Sequence, residues 1–221
     1  MAKTPKRHLD KSGPLPSFAD TVIAVCPDCG GPAVSKNPSL YSIPFRPQDA
    51  RIQCLRCTFS RKGEKGLWFG PSTDVAKDRC PKCGFKWLVS TRSRRYRSAR
   101  QKLTIGAECP ACQTRLEMPV RSHKKPFSGE AIDPVFGLPL WLQTPCCGHT
   151  IWAYNRRHLT QLQAYVAATL RERVPSGRWT MFTRLPQWIK SAKNREAVMR
   201  SLHRLELKLR KVGNTSQQPD V

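Results

Sequence analysis

The clearest pattern of apolar positions in this 221-residue chain lies close to its C-terminus. An apolar residue recurs there at every third or fourth position, which is the spacing of one face of an α-helix. These residues are Val198, Leu202, Leu205, Leu209 and Val212. The opposite side of this helix and its flank carry the basic residues Arg200, Arg204, Lys208 and Lys211. With Asn194 as a candidate N-cap, the pattern predicts an amphipathic, basic helix.

A second apolar stripe with helical spacing precedes this helix and ends before Pro175 and Gly177. Its members are Leu159, Leu162, Val166 and Leu170. Between the two stripes, Pro186 is suited to the start of a short helical turn, because its missing N–H is not needed there. We therefore predict a basic helical region over residues 156–213, followed by a flexible tail over residues 214–221.

Upstream of residue 155 the pattern changes to short apolar runs separated by turn residues, which is typical of short strands. The first is the β-branched run Thr21–Val25. Residues 1–20 mix Lys, Pro, Ser and Gly without apolar periodicity, so they are predicted to form a basic flexible tail. The apolar triplets Leu67–Phe69 and Leu140–Leu142 are candidates for layers that seal these strands. The expected fold class is α+β.

Ten cysteines fall into five clusters within the strand region. Four clusters are CxxC pairs, and the interval from Cys29 to Cys54 nearly equals that from Cys83 to Cys109. One CxxC turn presents two thiolates to a metal ion, and a second turn completes a tetrahedral zinc site. We therefore predict two Zn²⁺ ions, each with four thiolate ligands: Cys26, Cys29, Cys54 and Cys57 in the first site, and Cys80, Cys83, Cys109 and Cys112 in the second.

Disulfide bonds are the rival use of these cysteines. The N-terminus shows no apolar stretch of the kind that a secretory signal needs, and the chain is longer than small disulfide-stapled domains. A thioredoxin-like redox CxxC is expected once, beside a βαβ pattern, and no such pattern is visible. The cysteines are therefore expected to be reduced and the protein intracellular: cytoplasmic, or in the nucleoid or nucleus if it binds DNA.

The two repeats resemble the zinc-ribbon superfamily. The match covers Cys26–Cys57 and Cys80–Cys112, and the first knuckle of each repeat reads Cys-Pro-x-Cys-Gly. Proline fixes such a turn, and glycine permits the positive φ that lets backbone N–H groups point at sulfur. Thr58 and Gln113 stand where the second knuckles of the family have glycine. The resemblance implies small metal-stapled β ribbons in tandem, the first over residues 21–79, with metal supplying much of the folding energy.

The fifth cluster, Cys146-Cys147-Gly-His149, falls in the second predicted ribbon unit, residues 80–155, within a Trp-rich connecting layer. Its three side chains need a fourth ligand to form a further zinc site, and His123 and His158 are candidates. Alternatively, the cluster forms a site together with Cys109 and Cys112, and an earlier CxxC pair is then left without partner ligands. Buried structural thiols are the alternative, because free cysteine is commonly buried. The sequence leaves open whether this cluster binds a third ion.

The charge balance adds a functional expectation. Lys and Arg number 39 against 15 Asp and Glu, a net charge of +24 that exceeds what solubility requires and predicts a polyanionic partner. The densest basic cluster falls between the two ligand pairs of the second ribbon and contains no acidic residue. Its cationic members are predicted to contact phosphate, and its tyrosine to stack on a base or enter a groove. They are Arg92, Arg94, Arg95, Tyr96, Arg97, Arg100 and Lys102.

The expected function is nucleic-acid binding, to DNA or RNA, with zinc as a rigid staple and the basic C-terminal helix as a second contact surface. The alternative is a zinc-ribbon adaptor or scaffold subunit of a protein or nucleoprotein complex, in which the apolar stripe of the C-terminal helix contacts a protein partner. No membrane partner is expected, because no apolar run approaches about 18 residues.

Catalysis is not expected. The chain has no P-loop, HExxH or G-x-S-x-G motif and no close pair of acidic residues. A third hypothesis, a metal-dependent nuclease or deaminase centred on the fifth cluster, lacks the Glu of the H-x-E deaminase signature.

Overall fold

The computed structural model describes residues 7–10, 12–40, 46–63, 71–94, 104–126, 131–173 and 180–215. Its fold is α+β, as predicted, with small and mostly antiparallel sheets followed by helices. The strands are β1 (Arg7–Asp10), β2 (Thr21–Val25), β3 (Pro32–Lys36), β4 (Arg51–Cys54), β5 (Ser60–Lys62), β6 (Ser72–Asp78), β7 (Leu88–Arg94), β8 (Thr104–Glu108), β9 (Arg115–Pro119), β10 (Arg121–Lys124), β11 (Gln143–Cys146), β12 (His149–Trp152) and β13 (Leu170–Arg173). The helices are α1 (Arg156–Ala167), α2 (Gln187–Lys190) and α3 (Arg195–Thr215).

Strands β2 to β5 form a four-stranded antiparallel sheet in chain order, and this sheet carries the first two CxxC pairs. Cys26 directly follows β2, and Cys54 is the last residue of β4. The β-branched Val22 and Ile23 are buried, which is the environment that favours such residues in strands. The predicted strand at Thr21–Val25 is therefore confirmed.

Residues 131–154 return to this first sheet. Leu140 forms a β-bridge with Ala24, the N–H of Trp141 donates to the carbonyl of Ile23, and the N–H of Ile23 donates to the carbonyl of Tyr154. Leu140 and Leu142 are fully buried, so this triplet seals the first ribbon. Helices α1 and α3 and the hairpin β11–β12 join the same core. We refer to the described residues of 7–63 and 131–215 as the main body.

A second unit lies between these two parts of the main body in the sequence. Its three-stranded sheet has the order β10-β6-β7, and β8 and β9 form a separate hairpin. Ala76, Leu88, Ile105 and Met118 make a small core of their own. We refer to the described residues of 71–126 as the zinc module. Strand β6 thus pairs within this module, whereas residues 131–154, assigned by the sequence to the second ribbon, pack on the first.

Residues 7–10 and 12–20 are ordered, which corrects the predicted flexible tail over these positions. Strand β1 pairs in parallel with β13, and the side chain of Phe18 is buried in the main core. Arg157 holds this segment from α1, since its guanidinium lies 2.8 Å from Asp20 Oδ1 and over the Phe18 ring. These contacts join residues about 140 to 160 positions apart, so local composition gives no sign of them.

The C-terminal helix confirms the strongest sequence prediction. All five residues of its apolar stripe are buried in the main core, Val198, Leu202 and Leu205 completely. Asn194, the predicted N-cap, directly precedes α3 at the end of a 3-10 helix, and its side-chain amide donates to the carbonyl of Trp188. The stripe packs in the chain's own core, so it is not exposed to a protein partner in this structure.

The other helical predictions hold with shifted ends. Helix α1 is capped by Asn155, whose side chain accepts the N–H of His158, and it ends at Ala167. Leu170, predicted to be the last residue of the α1 stripe, begins β13 instead and is 42% exposed. Helix α2 begins after Pro186, as predicted. Residues 67–69 and most of the predicted 214–221 tail lie outside the described residues.

Candidate metal centres and nucleic-acid interface

The first predicted metal site is assembled by the knuckles after β2 and β4. Cys26 Sγ lies 3.7 Å from Cys57 Sγ, and Cys29 Sγ lies 3.5 Å from Cys54 Sγ. All four sulfur atoms lie within 4.8 Å of one another. A tetrahedron with Zn–S bonds of about 2.3 Å has sulfur atoms about 3.8 Å apart, whereas a disulfide bond measures about 2.05 Å. The thiols therefore match the spacing of zinc ligands.

The second site repeats this arrangement in the zinc module. Cys80 Sγ lies 3.6 Å from Cys112 Sγ, and Cys83 Sγ lies 3.6 Å from Cys109 Sγ. These four sulfur atoms also lie within 4.8 Å of one another, and all ten cysteines of the chain are free thiols. The protein thus has two four-cysteine sites that fit Zn²⁺, in a tandem zinc-ribbon-like arrangement. Four thiolates leave no open coordination position, so both sites are structural.

The backbone of each knuckle explains the Cys-Pro-x-Cys-Gly pattern. Gly30 and Gly84 have positive φ, and their N–H groups donate to the carbonyls of Cys26 and Cys80. The N–H of Gly31 points at Cys29 Sγ at 3.4 Å, as zinc knuckles require. In a second knuckle, Gln113 takes φ 57° and makes the same turn, with its N–H donating to the carbonyl of Cys109. A non-glycine residue thus accepts the left-handed conformation that glycine adopts more easily.

Hydrogen bonding divides the thiols of each site into two kinds. Burial raises the pKa of Cys54, but the N–H groups of Arg56 and Cys57 outweigh burial and lower it to about 7. Hydrogen bonds with Thr114 lower the pKa of Cys112 to about 6. The N–H of Phe59 lowers the pKa of Cys57, yet burial and the neighbouring thiols raise it to about 12. Zinc must therefore displace protons from the weakly acidic thiols of each site.

The fifth cluster forms a tight hairpin turn and not a third site of this kind. Cys147 and Gly148 have φ values of 50° and 75° and connect β11 to β12. Cys146 is buried, with its Sγ 3.7 Å from Cys147 Sγ, and the ring of His149 stacks on Trp188 with centroids 5.0 Å apart. Within the described residues, only the two four-cysteine sets bring three or more metal-ligating atoms together.

The candidate fourth ligands for this cluster are placed elsewhere. His158 is buried, its Nδ1 accepts the N–H of Tyr154, and burial lowers its pKa to about 3. This histidine is therefore a neutral core residue. His123 lies on β10 of the zinc module, opposite Thr73 on β6. The third zinc ion that the sequence left open is thus not supported, and the alternative of a structural thiol fits Cys146.

Substitution of the exposed Cys147 by Ser is expected to leave two zinc ions per chain, because this thiol contributes to neither four-cysteine site. The matched variant Cys83→Ser removes a thiol that is also exposed, but from the second site, and is expected to lower the zinc content. Elemental analysis of protein purified without added zinc measures both. A lower zinc content in Cys147→Ser than in wild-type protein would instead support a third metal site at this cluster.

The basic cluster of the second ribbon begins on β7, where two of its arginines face a buried carboxylate. Arg94 Nε lies 2.6 Å from Asp74 Oδ2, and these two side chains are only 8% and 4% exposed. Arg92 lies 3.5 Å from the same oxygen and donates to the carbonyl of Thr104. This placement gives Arg94 a structural role in place of the predicted phosphate contact. The remaining predicted contacts lie outside the described residues: Arg95, Tyr96, Arg97, Arg100 and Lys102.

The basic residues of α3 also fall into two groups, those that contact the protein itself and those that are exposed. Arg204 donates to the carbonyl of Pro145, and Lys208 donates to the carbonyl of Gln143, so both hold α3 against β11. Arg200 is exposed and lies 3.9 Å from Glu196, and Lys211 is also exposed. The predicted basic ridge therefore partly serves to fix the hairpin that ends in Cys146.

Sequence reasoning missed Asp74 as the partner of Arg92 and Arg94. The sequence of β6 gives no local signal for it, because the buried positions of this strand are Ser72, Asp74 and Ala76, whereas the apolar Val75 lies on the other face. A carboxylate on the buried face of a strand needs a charged partner. The partner cannot be named without the register of β6 and β7, which places Asp74 opposite Arg92.

Comparison with protein-family models, with curated protein sequences and with solved structures found no match to this chain. The zinc-ribbon resemblance therefore depends on the knuckle sequences and the geometry of the two four-cysteine sites. Among the helices in the described ranges, none combines the length and the apolar character needed to cross a bilayer.

Proposed function

We propose that this protein binds nucleic acid, and that the zinc module is its principal contact surface. The observation that carries the proposal is the charge of this segment. Residues 71–126 contain fourteen Lys and Arg against four Asp and Glu. Two of the four acidic side chains are already engaged, Asp74 with Arg92 and Arg94, and Glu108 with Arg115.

Much of the basic charge of the described residues lies on the surface of this small unit. Basic side chains around the knuckle and the strands are exposed to solvent, and they are Lys77, Arg79, Lys82, Lys86, Arg121 and Lys125. A small body with a large excess of positive charge attracts a polyanion, whose counterions are released on binding. Zinc serves this function by holding the cationic surface rigid, so that less conformational entropy is lost on contact.

The sequence after β7 contains further basic residues. Arg95, Arg97 and Arg100 follow directly after β7, and phosphate contact is proposed for them and not for Arg94, which pairs with Asp74. Phosphate contacts dominate such an interface, so affinity is expected to depend steeply on salt and weakly on base sequence.

Replacing Arg95, Arg97 and Arg100 together with Ala is expected to weaken binding and to flatten its salt dependence. Each phosphate contact contributes about 0.7 to 0.9 to the slope of log K against log salt concentration, so three lost contacts lower that slope by about 2 to 3. Fluorescence anisotropy with labelled DNA and RNA over a salt series measures the slope.

A matched control removes three exposed cations from the sheet of the first ribbon. Lys36, Arg51 and Lys62 are cross-strand neighbours on β3, β4 and β5, and their replacement with Ala removes the same charge. The control variant is expected to keep most of the wild-type slope. Wild-type protein that leaves bare DNA and RNA unbound at moderate salt, and binds only with a protein partner, would favour the adaptor function instead.

A further inference from the structure

Among the described residues, one face of the three-stranded sheet of the zinc module carries only half-buried or exposed side chains. Side chains alternate between its faces, and Asp74, Ala76 and Leu88 point into the module, where they are buried. The cross-strand register places the other set together on the outer face: Thr73, Val75 and Lys77 from β6, Val89, Thr91 and Ser93 from β7, and Arg121 and His123 from β10.

An unusual amount of apolar surface is exposed at one end of this outer face. Trp87, immediately before β7, is 69% exposed and is the most exposed large hydrophobic side chain in the described part of the chain. Val89, two residues further on the same face, is 52% exposed. The Cys80–Cys83 knuckle lies between β6 and β7, so the second zinc site fixes the chain from which Trp87 projects.

The charge of the outer face has a single sign. Lys77 Nζ lies 5.4 Å from the centroid of the Trp87 ring, and Arg121 on β10 is also exposed. None of the strand residues assigned to this face is acidic. Asp74 faces the interior, and Asp78, at the end of β6, accepts the N–H of Arg79. An exposed aromatic ring beside cations on an acid-free surface fits a partner that is both planar and anionic.

We propose that this outer face is a stacking platform for single-stranded nucleic acid, in which a base stacks on Trp87 and Lys77 and Arg121 contact the neighbouring phosphates. This inference rests on the proposed function and specifies its ligand. A base in a duplex is already stacked on both sides, whereas a single strand can present the face of a base to an aromatic side chain. Val89 and Thr91 extend this surface along β7.

The test compares Trp87→Ala with wild-type protein in binding labelled oligo-dT and oligo-U of about twelve nucleotides, a length within the site sizes of similar platforms. Loss of one base stack is expected to weaken binding by roughly 5- to 100-fold, and Trp87→Phe should recover part of the loss. Leu207→Ala, which removes an exposed apolar side chain of α3, is the matched control and should bind as wild type. A DNA duplex of the same length is expected to bind wild type and Trp87→Ala equally.

The outcomes separate this inference from the proposed function. Wild-type protein that binds neither strand nor duplex overturns both. Wild-type binding that Trp87→Ala does not change, with zinc content still at two ions, overturns the platform and leaves the charge-based function standing. A Trp87→Ala loss that is equal for single strands and duplex also overturns it, because stacking on an unpaired base predicts a loss confined to single strands.

Discussion

Replacing Cys80 and Cys109 together with Ser is expected to unfold the zinc module while the main body stays folded. Among its described residues, the core of the module has four buried apolar side chains with a few partly buried ones packed against them, and a core of that size does not offset the entropy of ordering its strands. Structural zinc in small ribbons contributes about 10–16 kcal/mol to folding, so loss of two thiolates removes the dominant stabilising term.

Hydrogen exchange read by mass spectrometry can locate this unfolding. Protection is expected to disappear from residues 71–126 and to persist in α1 and α3, which are stabilised by the separate main core. Elemental analysis should give one zinc ion per chain. Cys147→Ser serves as the control for the loss of a thiol outside both sites. Retained protection of β6 and β7 with only one zinc bound would show that the module does not depend on its metal.

The corresponding substitution in the first site, Cys26 and Cys54 together to Ser, is expected to have a more limited effect. The first sheet is also held by its bridge between Ala24 and Leu140 and by the burial of Val22 in the main core. Loss of zinc should expose the knuckles and the far strand β5, while β2 keeps its protection. The two sites are chemically alike, and the difference between them comes from what packs against each.

The zinc sites and α3 could be predicted because their signals are local. A CxxC knuckle is a turn of a few residues, and a helix stripe repeats every three or four residues, so both can be read within one window of sequence. The grouping of the first four cysteines into one site and of the next four into another was predicted from the nearly equal spacing in the two repeats.

The parts that could not be predicted depend on contacts between distant segments. Strand β1 carries His8 and Asp10 into buried positions through its pairing with β13, and Asp10 accepts the hydroxyl of Thr180 there. The assignment of residues 131–154 to the first ribbon rests on backbone hydrogen bonds to Ile23 and Ala24. The exposure of Trp87 could not be predicted either. Tryptophan is usually largely buried, and nothing in the sequence around Trp87 indicates that its side chain is exposed.

The structural role of Arg94 leads to the second large expected effect, a strong destabilisation by Arg94→Ala. Removal of this guanidinium leaves the carboxylate of Asp74 buried, with Arg92 3.5 Å away as its remaining charged partner. Breaking a buried ion pair by removing one partner costs about 3–5 kcal/mol. We expect the thermal transition of the zinc module to fall sharply, as followed by circular dichroism of zinc-loaded protein. Arg92→Ala, which removes a side chain that is 40% exposed, should cost less.

The double variant Asp74→Leu with Arg94→Met decides what Arg94 does. Replacing both members of a buried ion pair with apolar residues of similar size is often neutral, because no charge is left without a partner. The double variant should therefore recover most of the stability that Arg94→Ala loses, and it should bind nucleic acid nearly as wild type does, since the phosphate contacts are proposed for Arg95, Arg97 and Arg100. A stable double variant that binds much more weakly would instead return Arg94 to the nucleic-acid interface. That result would mean that Arg94 exchanges the Asp74 carboxylate for a phosphate group when nucleic acid binds.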